Sequence, residues 1–151
     1  MLKAMELKRK GFGGDSIYEV KEEDAVIGTI NDTRYTLELG GQDYKVERRG
    51  FFGPEFRLKS GDAVVAAAKQ KPMFNYYRLS YNEKEWTFKA VNMLAKKFGL
   101  FSGETQVGSA ETPTLMNKLG AITADLPAEL PREVRLFLLA LAISAWNQQG
   151  S

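Results

Sequence analysis

Hydrophobic and polar residues alternate with period two along most of this chain, and three stretches carry the alternation in one shared form. Tyr18 to Gly28 reads YEVKEEDAVIG, Phe56 to Ala66 reads FRLKSGDAVVA, and Phe98 to Gly108 reads FGLFSGETQVG. Each sets down an aromatic residue, an aliphatic two positions on, a polar turn, and then small and aliphatic residues in alternation. A side-chain period of two puts Tyr18 with Val20, Phe56 with Leu58, and Phe98 with Leu100 on one face of a strand, and Ser-Gly-Asp or Ser-Gly-Glu supplies the backbone of a tight turn. The pattern predicts three hairpins. Between the second and third the likeness runs backwards without a gap at a separation of about 42 residues: Tyr35 and Leu37 answer Tyr77 and Leu79, and Tyr44 and Val46 answer Trp86 and Phe88. Each unit then holds four strands, among them Arg34 to Leu39 and Arg78 to Tyr81.

The alternation stops at Val134. From there to Trp146 the chain reads VRLFLLALAISAW, apolar on every face of a helix. A helix without a polar stripe is buried on all sides or lies in lipid, and at 1.5 Å per residue this run reaches roughly 20 Å against a hydrocarbon core of about 30 Å. Leu136, Leu139 and Ile143 therefore belong inside protein. A last strand over about Leu119 to Ala124 is followed by Asp125-Leu-Pro-Ala-Glu-Leu-Pro-Arg-Glu, which turns the chain inward, with Pro131 suited to the first helical position and Glu133 to the positive end of the helix dipole. Roughly ten to twelve short strands suggest a sandwich or a barrel. A closed antiparallel β-barrel wrapped around a hydrophobic C-terminal helix, about 131–146, accounts for both the strands and the helix, because closure removes the sheet edges and the helix fills the interior.

Composition narrows the chemistry. The 151 residues, 44% hydrophobic and 26% charged, fit one domain over 1–151, with no low-complexity tract. There is no cysteine and no histidine. Thiolate nucleophiles, imidazole bases, disulfides and Cys/His zinc sites are excluded, and neither a metal nor a cofactor is expected. The N-terminus, MLKAMELKRKGFGG, holds no apolar stretch of signal-peptide length, so a cytoplasmic protein is expected, peripheral to the membrane if it meets one. A net charge of +2 with both signs interspersed does not describe a binder of duplex nucleic acid.

Enzymatic signals are weak. Glu22, Glu23, Asp24 and Asp43 read as solvated turn charges, and Glu22 to Asp24 lack the ligand spacing of a calcium loop. Gly11-Phe-Gly-Gly14 lacks the flanking strand and helix of a phosphate loop, and the serines have no histidine to activate them. Cations and aromatics do come together twice, in Arg48-Arg49-Gly-Phe-Phe52 and in Lys69-Gln-Lys71-Pro-Met-Phe74-Asn-Tyr-Tyr77-Arg78. Arginine forks and lysine point charges suit phosphate, and aromatic side chains suit a lipid interface. Arg48, Arg49, Lys69, Lys71 and Arg78 are therefore the candidate ligand-binding residues; Lys96-Lys97 is a weaker cationic pair.

The aromatic-x-aliphatic hairpins, the late strand Gly120-Ala-Ile-Thr-Ala-Asp125 and the terminal LFLLALAIS together resemble the tubby C-terminal-like superfamily, above all its LURP-one-related branch and more distantly the phospholipid scramblases. The likeness covers nearly the whole chain. It implies a barrel enclosing its C-terminal helix and a non-enzymatic binding or regulatory role, since tubby-type domains bind phosphoinositide head groups and scramblase-like members act at membranes. This chain departs from the scramblase pattern in having no cysteine to palmitoylate, and only Asn147-Gln-Gln-Gly-Ser follows its helix. An anionic lipid surface is the expected partner, without a membrane crossing. A protein docking on Phe51, Phe52 and Met73 is the alternative, and a carboxylate enzyme a third.

Overall fold

The computed structural model describes residues 1–10, 14–50, 53–71, 75–92, 96–113 and 121–149. Strands β1 (Leu2–Lys10), β2 (Ile17–Glu22), β3 (Ala25–Asn31), β4 (Thr36–Leu39), β5 (Gln42–Arg49) and β6 (Glu55–Ser60) are followed by β7 (Ala63–Gln70), β8 (Tyr76–Tyr81), β9 (Lys84–Ala90), β10 (Lys97–Ser102), β11 (Thr105–Glu111) and β12 (Ile122–Pro127), and the chain ends in α1 (Arg132–Gln149). Every strand pairs antiparallel with its neighbours in sequence, and β1 closes the barrel on β12, with Leu2 opposite Pro127 and Leu7 opposite Ile122. The closed barrel around a C-terminal helix is the architecture that the sequence predicts.

The three hairpins of the sequence are β2–β3, β6–β7 and β10–β11. Each has its register shift at one place, after Val20, Leu58 and Leu100. Such a bulge bends the strand and raises its twist, and three of them help to curl the sheet into a closed wall. Gly28 and Gly108 lie where the next strand crosses close: a Cβ at Gly28 would stand 2.0 Å from the Glu38 carbonyl oxygen, and one at Gly108 2.7 Å from that of Asp125. The two-residue turns Glu23-Asp24 and Asn82-Glu83 take positive φ at both positions, between 51° and 63°, as a turn matched to strand twist requires.

Inward-facing residues fill the space between wall and helix. Val20, Leu58, Leu79, Phe88, Phe98 and Leu100 are fully buried. Phe88 and Phe98 stack at 5.0 Å, and Trp146 meets the edge of Phe98 at 5.8 Å between ring centres. On α1 the consecutive residues Leu136, Phe137, Leu138 and Leu139 are each 0% exposed. Four successive helical positions point about 100° apart, so protein surrounds the helix on every side. At roughly 1.5–3 kcal/mol for each fully buried large side chain, α1 adds substantially to the barrel's stability.

The structure corrects several boundaries. Tyr35 has φ 56° and sits outside β4, which starts at Thr36 instead of Arg34; a left-handed residue cannot continue a strand. β12 runs to Pro127 and not to Ala124, because pairing with β1 down to Leu2 holds Asp125, Leu126 and Pro127 extended where the composition reads as a turn. Leu119 and Gly120, expected in that strand, lie outside the described residues. The helix continues to Gln149, three residues past Trp146, while the Asn147 amide donates to Asp32 at 2.6 Å. Pro131 stands just before it, its carbonyl accepting from the N–H groups of Val134 and Arg135.

Glu22 is the largest correction. It is not a solvated turn charge but is buried, accepting from Arg135 Nη1 at 2.8 Å and from Arg132 Nη2 at 3.1 Å. Arg135, 4% exposed, also donates from Nε to the Leu130 carbonyl at 3.0 Å. β2 ends at the level where α1 begins, so the carboxylate reaches in from the wall and ties down the first turns of the helix.

Candidate functional site

In an up-and-down barrel the connections alternate between two ends. The tight turns at Glu23-Asp24, Gly40-Gly41, Gly61-Asp62, Asn82-Glu83 and Gly103-Glu104 share one end with the start of α1; the β1–β2, β3–β4, β5–β6, β7–β8, β9–β10 and β11–β12 connections share the other with the end of α1. Charge separates between these ends. Much of the side wall is neutralised locally, by Lys10 with Glu19 at 2.6 Å, Arg34 with Asp15, Arg49 with Glu47 and Arg57 with Glu55 at 2.7 Å. The arginines hold the carboxyls of Asp15 and Glu47 below the usual carboxylate range, and Lys10 does the same to Glu19. The charges left over are shared unequally: the unpaired Lys21 lies at the tight-turn end of β2 and the unpaired Lys45 within β5, but the other unpaired cations of the described residues gather at the opposite end. Among the described residues, Arg9, Arg48, Lys69, Lys71, Lys89, Lys96 and Lys97 form no ion pair, and all lie at or near the end where α1 finishes. Asp24, Asp43, Asp62, Glu83 and Glu104, likewise unpaired, lie at the tight-turn end. Asp32 and Glu111 are carboxylates on the basic end, and burial raises the Asp32 carboxyl against the hydrogen bond from Asn147.

The register brings the sequence-predicted residues together on that end. Arg49 lies opposite Glu55, Glu55 opposite Lys69, and Lys69 opposite Arg78, which forms one row across β5 to β8 on the outer face. Arg48 follows the inward-facing Tyr44 and Val46 and is exposed at the mouth. It lies near the Tyr77 hydroxyl, which burial pushes up to about 12 while the guanidinium charge opposes that rise. Lys71 sits 4.7 Å from the centre of the Tyr76 ring. A hydrogen bond with Thr87, then the charges of Lys71 and Arg78, hold the Tyr76 hydroxyl below the usual phenol range. Arg78 is loosely paired with Glu85 at 3.9 Å.

The register also adds residues that sequence reasoning missed. Lys89 faces Tyr76 across β8 and β9 and stands 4.9 Å over the Phe101 ring, so cation and aromatic alternate from Lys71 through Tyr76 and Lys89 to Phe101. Arg9 occupies the mouth on β1, opposite Tyr18. The available signal was strand parity: in KEWTFKA the buried Trp86 and Phe88 turn Lys89 outward. Phe51, Phe52, Met73 and Phe74 lie outside the described residues.

A cavity of about 20 Å³, lined by Leu37, Val46, Phe56 and Ser144 among others, suits about one water molecule. A broader hollow of about 530 Å³ outside β11, β12 and β1 is bordered by Asp125 and Glu129, which disfavours an anion there. Chemically, the basic end can hold a negatively charged surface or group by charge-assisted hydrogen bonds, with Tyr76 and Phe101 as flat apolar faces beside the cations. Among the described residues, no helix is long and apolar enough to cross a membrane. Comparison of the chain with protein-family models, with curated proteins and with solved structures finds no match in any of the three.

Proposed function

We propose that this chain is a non-enzymatic binding domain of the tubby-like, LURP-one-related kind, and that it recognises anionic phospholipid head groups at a membrane surface, peripherally and on the cytoplasmic side. The observation that carries this reading is the gathering of most of the unpaired cations, Arg48, Lys69 and Lys71 among them, on one end of the barrel while most of the unpaired carboxylates occupy the other. Each basic residue close to an anionic bilayer contributes about 1 kcal/mol, so a few of them hold a protein of this size. Because α1 occupies the interior, binding belongs to the outside of the barrel. The sequence favours lipid over a free anion: Phe51-Phe52, Met73-Phe74 and Met93-Leu94 are apolar pairs that fall, in sequence, between strands whose facing ends carry cations. The absence of histidine and cysteine from the sequence supports a role in binding over one in catalysis.

Co-sedimentation with phosphatidylcholine vesicles, with and without phosphatidylserine, tests this. The protein is expected to bind only the anionic vesicles and to release as salt rises. Arg48→Glu with Arg49→Glu should weaken binding at least tenfold, from the loss of about 1 kcal/mol per residue and the added repulsion, yet leave melting nearly unchanged because both side chains are exposed. Failure to bind any anionic vesicle at low salt would overturn the reading.

A further inference from the structure

We infer that the barrel meets an anionic bilayer end-on, with the axis of α1 along the membrane normal and the tight-turn end pointing away. This rests on the lipid-binding reading above and adds the contact surface to it. Cations at the mouth are distributed around its whole circumference. Arg48 is on β5, Lys97 on β10 and Arg9 on β1; in the closed strand order β10 and β1 are three steps apart, β1 and β5 four, and β5 and β10 five. Residues spaced so evenly around a twelve-strand ring cannot all face one plane laid against the wall. They can all face a plane laid across the mouth.

Screening favours the same pose. The eighteen residues of α1 span about 27 Å along the barrel, whereas charge interactions decay over about 8–10 Å at physiological salt. In an end-on pose Asp24, Asp62, Glu83 and Glu104 stand several screening lengths from the lipid and oppose nothing. In a wall-on pose some of these carboxylates fall within reach of the lipid phosphates.

The experiment compares charge reversals at equal change in net charge, on phosphatidylcholine–phosphatidylserine vesicles. Lys96→Glu with Lys97→Glu, across the mouth from Arg48, should weaken binding at least tenfold, as Arg48→Glu with Arg49→Glu does. Lys21→Glu with Lys84→Glu, at the tight-turn end, should stay within about twofold of the parent. Because Lys96 and Lys97 are partly buried, Lys96→Gln with Lys97→Gln and the single change Arg9→Glu serve as gentler variants, each expected to lose several-fold, with circular dichroism to confirm folding. If the Lys96/Lys97 and Arg9 variants bind like the parent while the Arg48/Arg49 variant does not, the contact is a wall of β5 to β8 and the end-on pose is wrong. Equal loss in the Lys21/Lys84 variant would show that net charge alone matters and would also overturn it. A parent that binds no anionic vesicle removes the lipid reading and the pose together.

Discussion

Replacing Glu22 by leucine should cost this protein about 3–5 kcal/mol, the range for breaking a buried ion pair from one side. The magnitude follows from what is left behind. Arg135 is 4% exposed and keeps only its bond to the Leu130 carbonyl, so its guanidinium becomes a buried charge without a counterion. Arg132 contributes little, since its side chain is 55% exposed and rehydrates once the carboxylate is gone; its bridge is worth about 1 kcal/mol or less. Against a typical total of about 5–15 kcal/mol, a loss of this size lowers the ratio of folded to unfolded protein by roughly two to four orders of magnitude. The double variant Glu22→Leu with Arg135→Met removes both charges and should lie within about 1–2 kcal/mol of the parent, or above it, so that the single losses fail to add. Urea unfolding followed by circular dichroism, at constant slope, measures the parent, Glu22→Leu, Arg135→Met and the double variant. A Glu22→Leu variant within about 1 kcal/mol of the parent, or a double variant equal to the sum of the singles, would refute the view that this pair is buried and mutually dependent.

Two further outcomes follow from the core. Leu139→Asp places a carboxylate without a partner at a position 0% exposed, at a cost of several kcal/mol, and should collapse the soluble fraction; a variant that melts like the parent would mean that this face of α1 meets water. Tyr77, pushed up to about 12 by burial, keeps its proton where an unfolded tyrosine near 10 loses it. Its share of stability is therefore complete below pH 10 and declines as pH rises from about 10 to 12, by roughly 2–3 kcal/mol. Tyr77→Phe should lose less between pH 9 and 11 than the parent does, and equal losses in the two proteins would contradict the assignment.

By itself the sequence determined what depends on near neighbours. The hairpins at Tyr18–Gly28, Phe56–Ala66 and Phe98–Gly108 were legible because alternation and tight turns are properties of consecutive residues. Enclosure of α1 was legible because an all-apolar helix too short for a bilayer has one other place to go. Arg48, Arg49, Lys69, Lys71 and Arg78 stood out because each lies close in sequence to aromatic residues. The tertiary structure decided the rest. Glu22 reads as one more turn carboxylate, and only the arrival of Arg135, 113 positions later, makes it a buried anchor. β12 continues through Asp125 to Pro127 because β1, from the far end of the chain, supplies its partner. Strand parity turns Lys89 outward and Arg9 sits between Lys8 and Lys10, but nothing local brings either to the basic end, which they join only when the meander sets their strand ends beside the others. The same alternation of up and down strands divides the leftover charges of a chain whose net charge is only +2, turning interspersed signs in sequence into a mainly basic end and a mainly acidic end in space.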